Sequence, residues 1–186
     1  MDTIMESKEE DIIELFYEEP TKEWHFEEIV KNAKITRSKA DRWLKKFIKE
    51  GLIRRIKERD KMPYYTSNYE HPAYKNKKRL FALNRLYESG LLNHLSYLKK
   101  AQTVIIFGSL VRSDWYKDSD IDIFIYGDPE GLKTAEYETK LHREIQLFIC
   151  HNKKELNKFG EGLIKNIIKG NIIKGDIDFV RVGINA

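Results

Sequence analysis

Between Thr103 and Tyr126 the sequence reads TVIIFGSLVRSDWYKDSDIDIFIY, and few backbone arrangements satisfy it. The apolar run from Val104 to Phe107 predicts a buried strand that stops at Gly108-Ser109. Ten residues later, Asp120 and Asp122 open a second strand. Strand side chains alternate, so both carboxylates project from one face while Ile121, Ile123 and Ile125 pack on the other. Adjacent carboxylates repel and raise each other's pKa unless a cation lies between them. Oxygen ligands of this kind suit Mg²⁺, which takes carboxylates together with phosphate and water. Gly108 lets backbone approach a phosphate closely, and Ser109, opening a helix, offers a hydroxyl and backbone N–H groups. A phosphate cradle and a metal clamp this close in sequence imply phosphoryl or nucleotidyl transfer.

Gly-Ser, ten residues, then Asp-x-Asp resembles the signature of the DNA polymerase beta-like nucleotidyltransferases, in their minimal branch. Arg112 falls where that branch usually carries an arginine, and Ser119-Asp120-Ile121-Asp122 is similar to its Ser-Asp-Ile-Asp. The run IKNIIKGNIIKG, Ile164 to Gly175, is similar to the helix-and-strand signature that closes the same fold. The resemblance implies Mg²⁺- or Mn²⁺-dependent transfer of a nucleotide monophosphate from an NTP, with ATP the expected donor, to a protein or other hydroxyl acceptor. In that scheme Asp120 and Asp122 are catalytic metal ligands, while Gly108, Ser109, Arg112 and Ser119 bind the nucleotide. It also implies an antitoxin role, since such proteins are often paired with HEPN-type ribonucleases that they modify.

Active members of that superfamily carry a third carboxylate on the next strand. Here the strand reads Arg143-Glu144-Ile145-Gln146-Leu147-Phe148, and Gln146 matches the position best. An amide coordinates a cation weakly and cannot act as a base near neutral pH. Glu144 lies on the same strand face and becomes the third catalytic carboxylate if the strand is shifted or bulged. Two readings follow: a nucleotidyltransferase, or a DNA-binding regulator whose nucleotidyltransferase unit senses nucleotide without turnover.

Charge separates the halves of the chain. Residues 21–65 hold fourteen bases against seven acids, whereas 101–186 hold twelve against thirteen, which implies an anionic partner for the N-terminal half. Helices are expected over Glu9 to Glu19, His25 to Ala33 and, N-capped by Thr36, from Arg37 to about Glu50. Strands are expected at Leu52 to Lys57 and Met62 to Ser67, around the tip Glu58-Arg59-Asp60-Lys61. The order resembles a winged helix-turn-helix. That resemblance implies binding of double-stranded DNA, with Arg37, Ser38, Lys39 and Arg42 on the groove helix and Arg55, Lys57, Arg59 and Lys61 on the wing.

The expected architecture is an α+β two-domain chain. It comprises a winged helix-turn-helix at 1–70, a helical connector at 71–100 that could form a homodimer contact, and a small α/β nucleotidyltransferase fold with a mixed sheet at 101–186. After the Asp-x-Asp strand, helices are expected over Glu130 to His142 and Glu155 to Lys169, and a closing strand region over Asn171 to Gly183. No apolar stretch reaches the roughly 18 residues of a membrane span, and the acidic N-terminus is unlike a signal peptide, so a cytoplasmic location is expected. Cys150 stands alone and reads as a core residue. The five histidines lack metal-ligand spacing. Trp115 and Tyr116 are expected to pack on the short helix after Gly108, or to stack on a base. Asp176 and Asp178 form a second Asp-x-Asp without a preceding Gly-Ser, read as a surface feature.

Overall fold

The computed structural model describes residues 8–178. The described residues form two compact units: one comprises residues 8–78 and Trp115–Lys117, and the other Arg79–Asp114 and residues 118–178.

In the first unit, α1 (Lys8–Glu18) buries Ile12, Ile13, Phe16 and Tyr17. A two-residue strand, β1 (Trp24–His25), leads into α2 (Phe26–Asn32), and α3 (Arg37–Lys49) follows. The Thr36 side chain accepts from the Lys39 N–H at 3.4 Å, satisfying one of the orphan donors at the α3 N-terminus. Ala40, Leu44 and Phe47 point into the core. Gly51, at φ +74°, ends α3 and lets the Leu52 N–H reach back to the Phe47 carbonyl at 2.9 Å. The strands β2 (Ile53–Ile56) and β3 (Tyr64–Ser67) then pair antiparallel, and β1 completes the sheet in the order β1-β3-β2. The β1 pairing, Trp24 to Tyr65 and His25 to Tyr64, was not among the expected elements.

The next helix, α4 (Pro72–Glu88), starts in this unit and satisfies the C-terminal carbonyls of α1. Tyr74 Oη and Ser67 Oγ both donate to the Phe16 carbonyl, at 2.8 and 2.7 Å. Lys78 is buried, and its Nζ donates to the carbonyls of Tyr17 (2.7 Å) and Trp115 (2.6 Å). It also lies 4.5 Å from the Trp115 ring centroid. A buried ammonium is costly to desolvate, and carbonyl oxygens with an aromatic face offset that cost. Trp115 is therefore a core residue of the first unit, edge-on to Tyr17 at 6.2 Å, and is not free to stack on a base.

In the second unit a short helix, α5 (Leu91–Ser96), stops before the expected Lys100, because the chain turns over residues 97–100 before it enters β4 (Ala101–Phe107). A single turn, α6 (Ser109–Arg112), joins β4 to β5 (Ile121–Gly127). A crossover through α7 (Thr134–Leu141) leads to β6 (Ile145–Cys150), and β7 (Asn171–Lys174) closes the sheet. Strand order is β6-β5-β4-β7, with β5 and β6 parallel and the other pairs antiparallel, so the expected mixed sheet is present.

One sheet face is covered by a cluster of Ile105, Phe107, Phe124, Cys150 and Ile167, with Phe148, Leu156, Phe159 and Leu163 packed against it. Three expected boundaries move. The segment after Pro129 turns first, with the Leu132 N–H on the Pro129 carbonyl, so α7 begins at Thr134 rather than Glu130. The helix expected over Glu155 to Lys169 is two pieces, a 3-10 segment Lys153–Lys158 and α8 (Glu161–Ile168), because Phe159 turns inward with extended backbone onto Phe124 at 6.0 Å. The closing strand ends at Lys174, residues 175–178 turn instead of continuing it, and the part of the expectation from 179 on lies outside the described residues. Among the described residues no helix is long and apolar enough to cross a membrane.

Candidate active site

The apolar residues of β4 run into Gly108, whose backbone takes φ +79° and ψ −151°. A Cβ there would fall 1.9 Å from Asp122 Oδ2 and 2.9 Å from its Cγ, so the dihedrals favour glycine and any side chain would displace the Asp122 carboxyl. The Asp122 carboxylate thus lies directly against the Gly108 backbone, where antiparallel pairing sets Phe107 opposite Asp122. The motif elements ten residues apart in sequence meet at one end of the β4–β5 pair. Ser109 opens α6, and the Asp114 N–H turns back onto its carbonyl at 3.2 Å. Arg112, half-exposed at the end of α6, pairs through Nε with Asp114 at 3.1 Å.

Asp122 is half-buried, with Phe107 across from it and Phe124 next along the same face of β5. That apolar setting raises its pKa above the usual carboxylate range; the neighbouring Asp120 charge raises it further, and Arg112 opposes the shift. Asp120 itself is exposed and lies one residue before β5, outside the ladder.

The β5–β6 register is regular from Ile121 opposite Ile145 to Tyr126 opposite Cys150, with no bulge. It sets Gln146, not Glu144, directly beside Asp122. Glu144 lies one residue before β6, level with Asp120, and its carbonyl accepts the Ile121 N–H at 2.9 Å. The shift or bulge that would carry Glu144 deeper is absent. Its side chain is exposed, and alternation puts it on the strand face shared with Gln146. The Ser119 carbonyl accepts from Arg143 Nη1 at 2.8 Å, a partner the sequence pattern did not single out. Among the described residues no group of three or more His, Cys, Asp or Glu gathers as a metal site. The register sets Gln146 level with Asp122, one pair beyond Asp120, and carboxylate and amide oxygens are donors of the kind that suit a divalent cation such as Mg²⁺ or Mn²⁺.

The residues expected to touch nucleic acid lie in the first unit and are exposed. On α3, Arg37 makes a salt bridge to Glu27 at 3.0 Å, Ser38 lies 3.3 Å from Thr36 Oγ1, and Arg42 stands over the Trp43 ring at 4.9 Å. Lys39 projects from the same helix, Arg55 from β2, and Lys57 and Arg59 from the tip between β2 and β3. Lys61 pairs with Glu58.

Cys150 is buried and unbridged, as expected. Asp176 and Asp178 line a separate cavity of about 380 Å³ with Gln102, Thr103, Tyr126, Lys153 and Gly175. Neither belongs to the Asp120–Asp122 pair.

No curated protein and no solved structure matches the chain. Residues 91–178, from α5 to the end of the described chain, match the family model described as "Polymerase beta, Nucleotidyltransferase", and this stretch is therefore similar to a polymerase beta-like nucleotidyltransferase domain.

Proposed function

We propose that the chain moves a nucleotide monophosphate from an NTP, with ATP the expected donor, to a hydroxyl acceptor. The observation that carries this reading is the Asp122 carboxylate held against the Gly108 backbone beside Asp120. Asp120 and Asp122 would hold Mg²⁺ or Mn²⁺. When bound, the metal supplies charge neutralisation at the triphosphate and at the acceptor oxygen. The chain's own groups do the rest. Gly108 gives the triphosphate room against backbone, the Ser109 hydroxyl donates to a phosphate oxygen, and Ser119 borders the same turn. Arg112 faces the developing negative charge. The acceptor oxygen forms its bond to the α-phosphorus as the bond to pyrophosphate breaks, and Glu144, level with Asp120, takes the acceptor proton.

The first unit is read as a winged helix-turn-helix that binds double-stranded DNA through Arg37, Ser38, Lys39, Arg42, Arg55, Lys57 and Arg59. A HEPN-type ribonuclease as acceptor, an antitoxin role, homodimerisation and a cytoplasmic location belong to the same reading. The second reading, a DNA-binding regulator that senses nucleotide, is favoured by one observation: the residue beside Asp122 is an amide, Gln146. Incubation with α-labelled ATP, Mg²⁺ and cell lysate separates them. A labelled acceptor that disappears with Asp120→Asn and Asp122→Asn supports the enzyme. Mg²⁺-dependent ATP binding without label transfer leaves the sensor, and neither binding nor transfer removes both.

A further inference from the structure

Asp120 carries half of the candidate cation site, yet it stands outside the sheet. The first β5 pair with β6 is Ile121 opposite Ile145, and the last β4 pair with β5 is Phe107 opposite Asp122. No ladder bond therefore fixes the Asp120 side chain, which is exposed. Its two flanking peptide groups are fixed from outside instead. The carbonyl of the Ser119–Asp120 peptide accepts from Arg143 Nη1 at 2.8 Å, in a partly buried position. The N–H of the Asp120–Ile121 peptide donates to the Glu144 carbonyl at 2.9 Å. Two successive residues thus hold both peptide planes about the Asp120 Cα, which sets the direction of its Cα–Cβ bond.

Arg143 and Glu144 are themselves braced. The Arg143 N–H donates to the Glu138 carbonyl at 3.3 Å, and the Ile145 N–H donates to the Glu138 carboxylate at 3.0 Å. Between α7 and Arg143 the chain turns through His142 at φ +52°. The bond from Glu144 is a backbone one and survives side-chain substitution. The bond from Arg143 depends on its side chain.

We propose that Arg143 is a positioning residue: by holding the Ser119 carbonyl it aims the Asp120 carboxylate beside Asp122, so that the pair meets a divalent cation preformed. This rests on the reading that Asp120 and Asp122 take that cation. Partners that orient metal ligands typically contribute about 10–100-fold to metal affinity. The test is calorimetric titration of the full chain with Mn²⁺ alone, each variant also being melted by circular dichroism. Arg143→Met is expected to melt as a folded chain and bind Mn²⁺ about tenfold or more weakly. Arg143→Lys, which keeps a donor, should recover part of that loss. Lys140→Met removes a positive charge from α7, where Lys140 pairs with Glu136, and should bind like wild type. If Arg143→Met does not fold, Arg143→Gln carries the same expectation with a smaller change. A folded Arg143→Met or Arg143→Gln chain with wild-type affinity overturns the proposal, as does an equal loss in Lys140→Met. Failure of the wild type to bind Mn²⁺ removes the cation reading and this inference with it.

Discussion

Replacing Gly108 with alanine should destabilise the chain through two separable strains. The backbone at φ +79° and ψ −151° lies in a region essentially reserved for glycine, and an alanine there costs about 1–3 kcal/mol. The new Cβ would also fall 1.9 Å from Asp122 Oδ2, so the carboxyl must rotate away, at roughly 0.5–1.5 kcal/mol for a forced rotamer. Together these give about 2–4 kcal/mol, or a fall in Tm of roughly 5–15 °C for a chain of this size. Urea unfolding of wild type, Gly108→Ala, Asp122→Ala and the double variant would form a thermodynamic cycle. Shortening Asp122 to its Cβ leaves 3.2 Å to the new methyl group, so the double variant should recover the rotamer part, about 1 kcal/mol, and keep the backbone part. A Gly108→Ala cost below about 0.5 kcal/mol, or strictly additive effects, would refute the close approach of Gly108 and Asp122.

Three further outcomes are expected. Asp122 has its pKa raised by burial and by Asp120, so its protonated form favours the fold, and that contribution fades as pH rises through the folded-state pKa. Asp122→Asn should flatten the pH dependence of metal-free stability just above the ordinary carboxylate range, and with Asp120→Asn should abolish Mg²⁺-dependent ATP binding; equal calorimetric binding by wild type and the double variant would count against the site. Lys39→Ala with Arg42→Ala should weaken duplex DNA binding and flatten its salt dependence by about 0.9 in log–log slope for each phosphate no longer neutralised, as read by gel retardation. For the proton-taking step, Glu144→Ala should lower label transfer by roughly 10²-fold if Glu144 is the base, whereas a gain of transfer in Gln146→Asp over a silent wild type would assign the position beside Asp122 instead.

What the sequence made legible was local. The β4 and β5 strands follow from uninterrupted apolar residues and from Gly108, and α3 from Thr36 and Gly51, because each signal lies within a few residues of the element it defines. Alternation along the strand already set Gln146 and Glu144 on one face; the regular pairing of Asp122 with Gln146 then fixed which of them is adjacent. What stayed hidden depends on partners distant in sequence. The two-residue β1 exists because Trp24 meets Tyr65, and Phe159 interrupts a helical stretch because it packs on Phe124. The Arg143 bond to the Ser119 carbonyl joins residues that no periodicity links.

The excursion of Trp115–Lys117 has a consequence for how this chain can be divided. The segment lies between α6 and β5 in sequence, yet it counts among the residues of the first unit, where Lys78 holds the Trp115 carbonyl and Tyr17 meets its ring. The first unit is therefore discontinuous, and no single cut in the polypeptide releases either unit whole. A fragment starting at Arg79 would carry a bare indole with neither Lys78 nor Tyr17 to receive it, and one ending at Lys78 would bury an ammonium short of one of its acceptors. Grafting this N-terminal half onto another C-terminal half, in evolution or at the bench, means transplanting a tripeptide from the middle of the recipient as well.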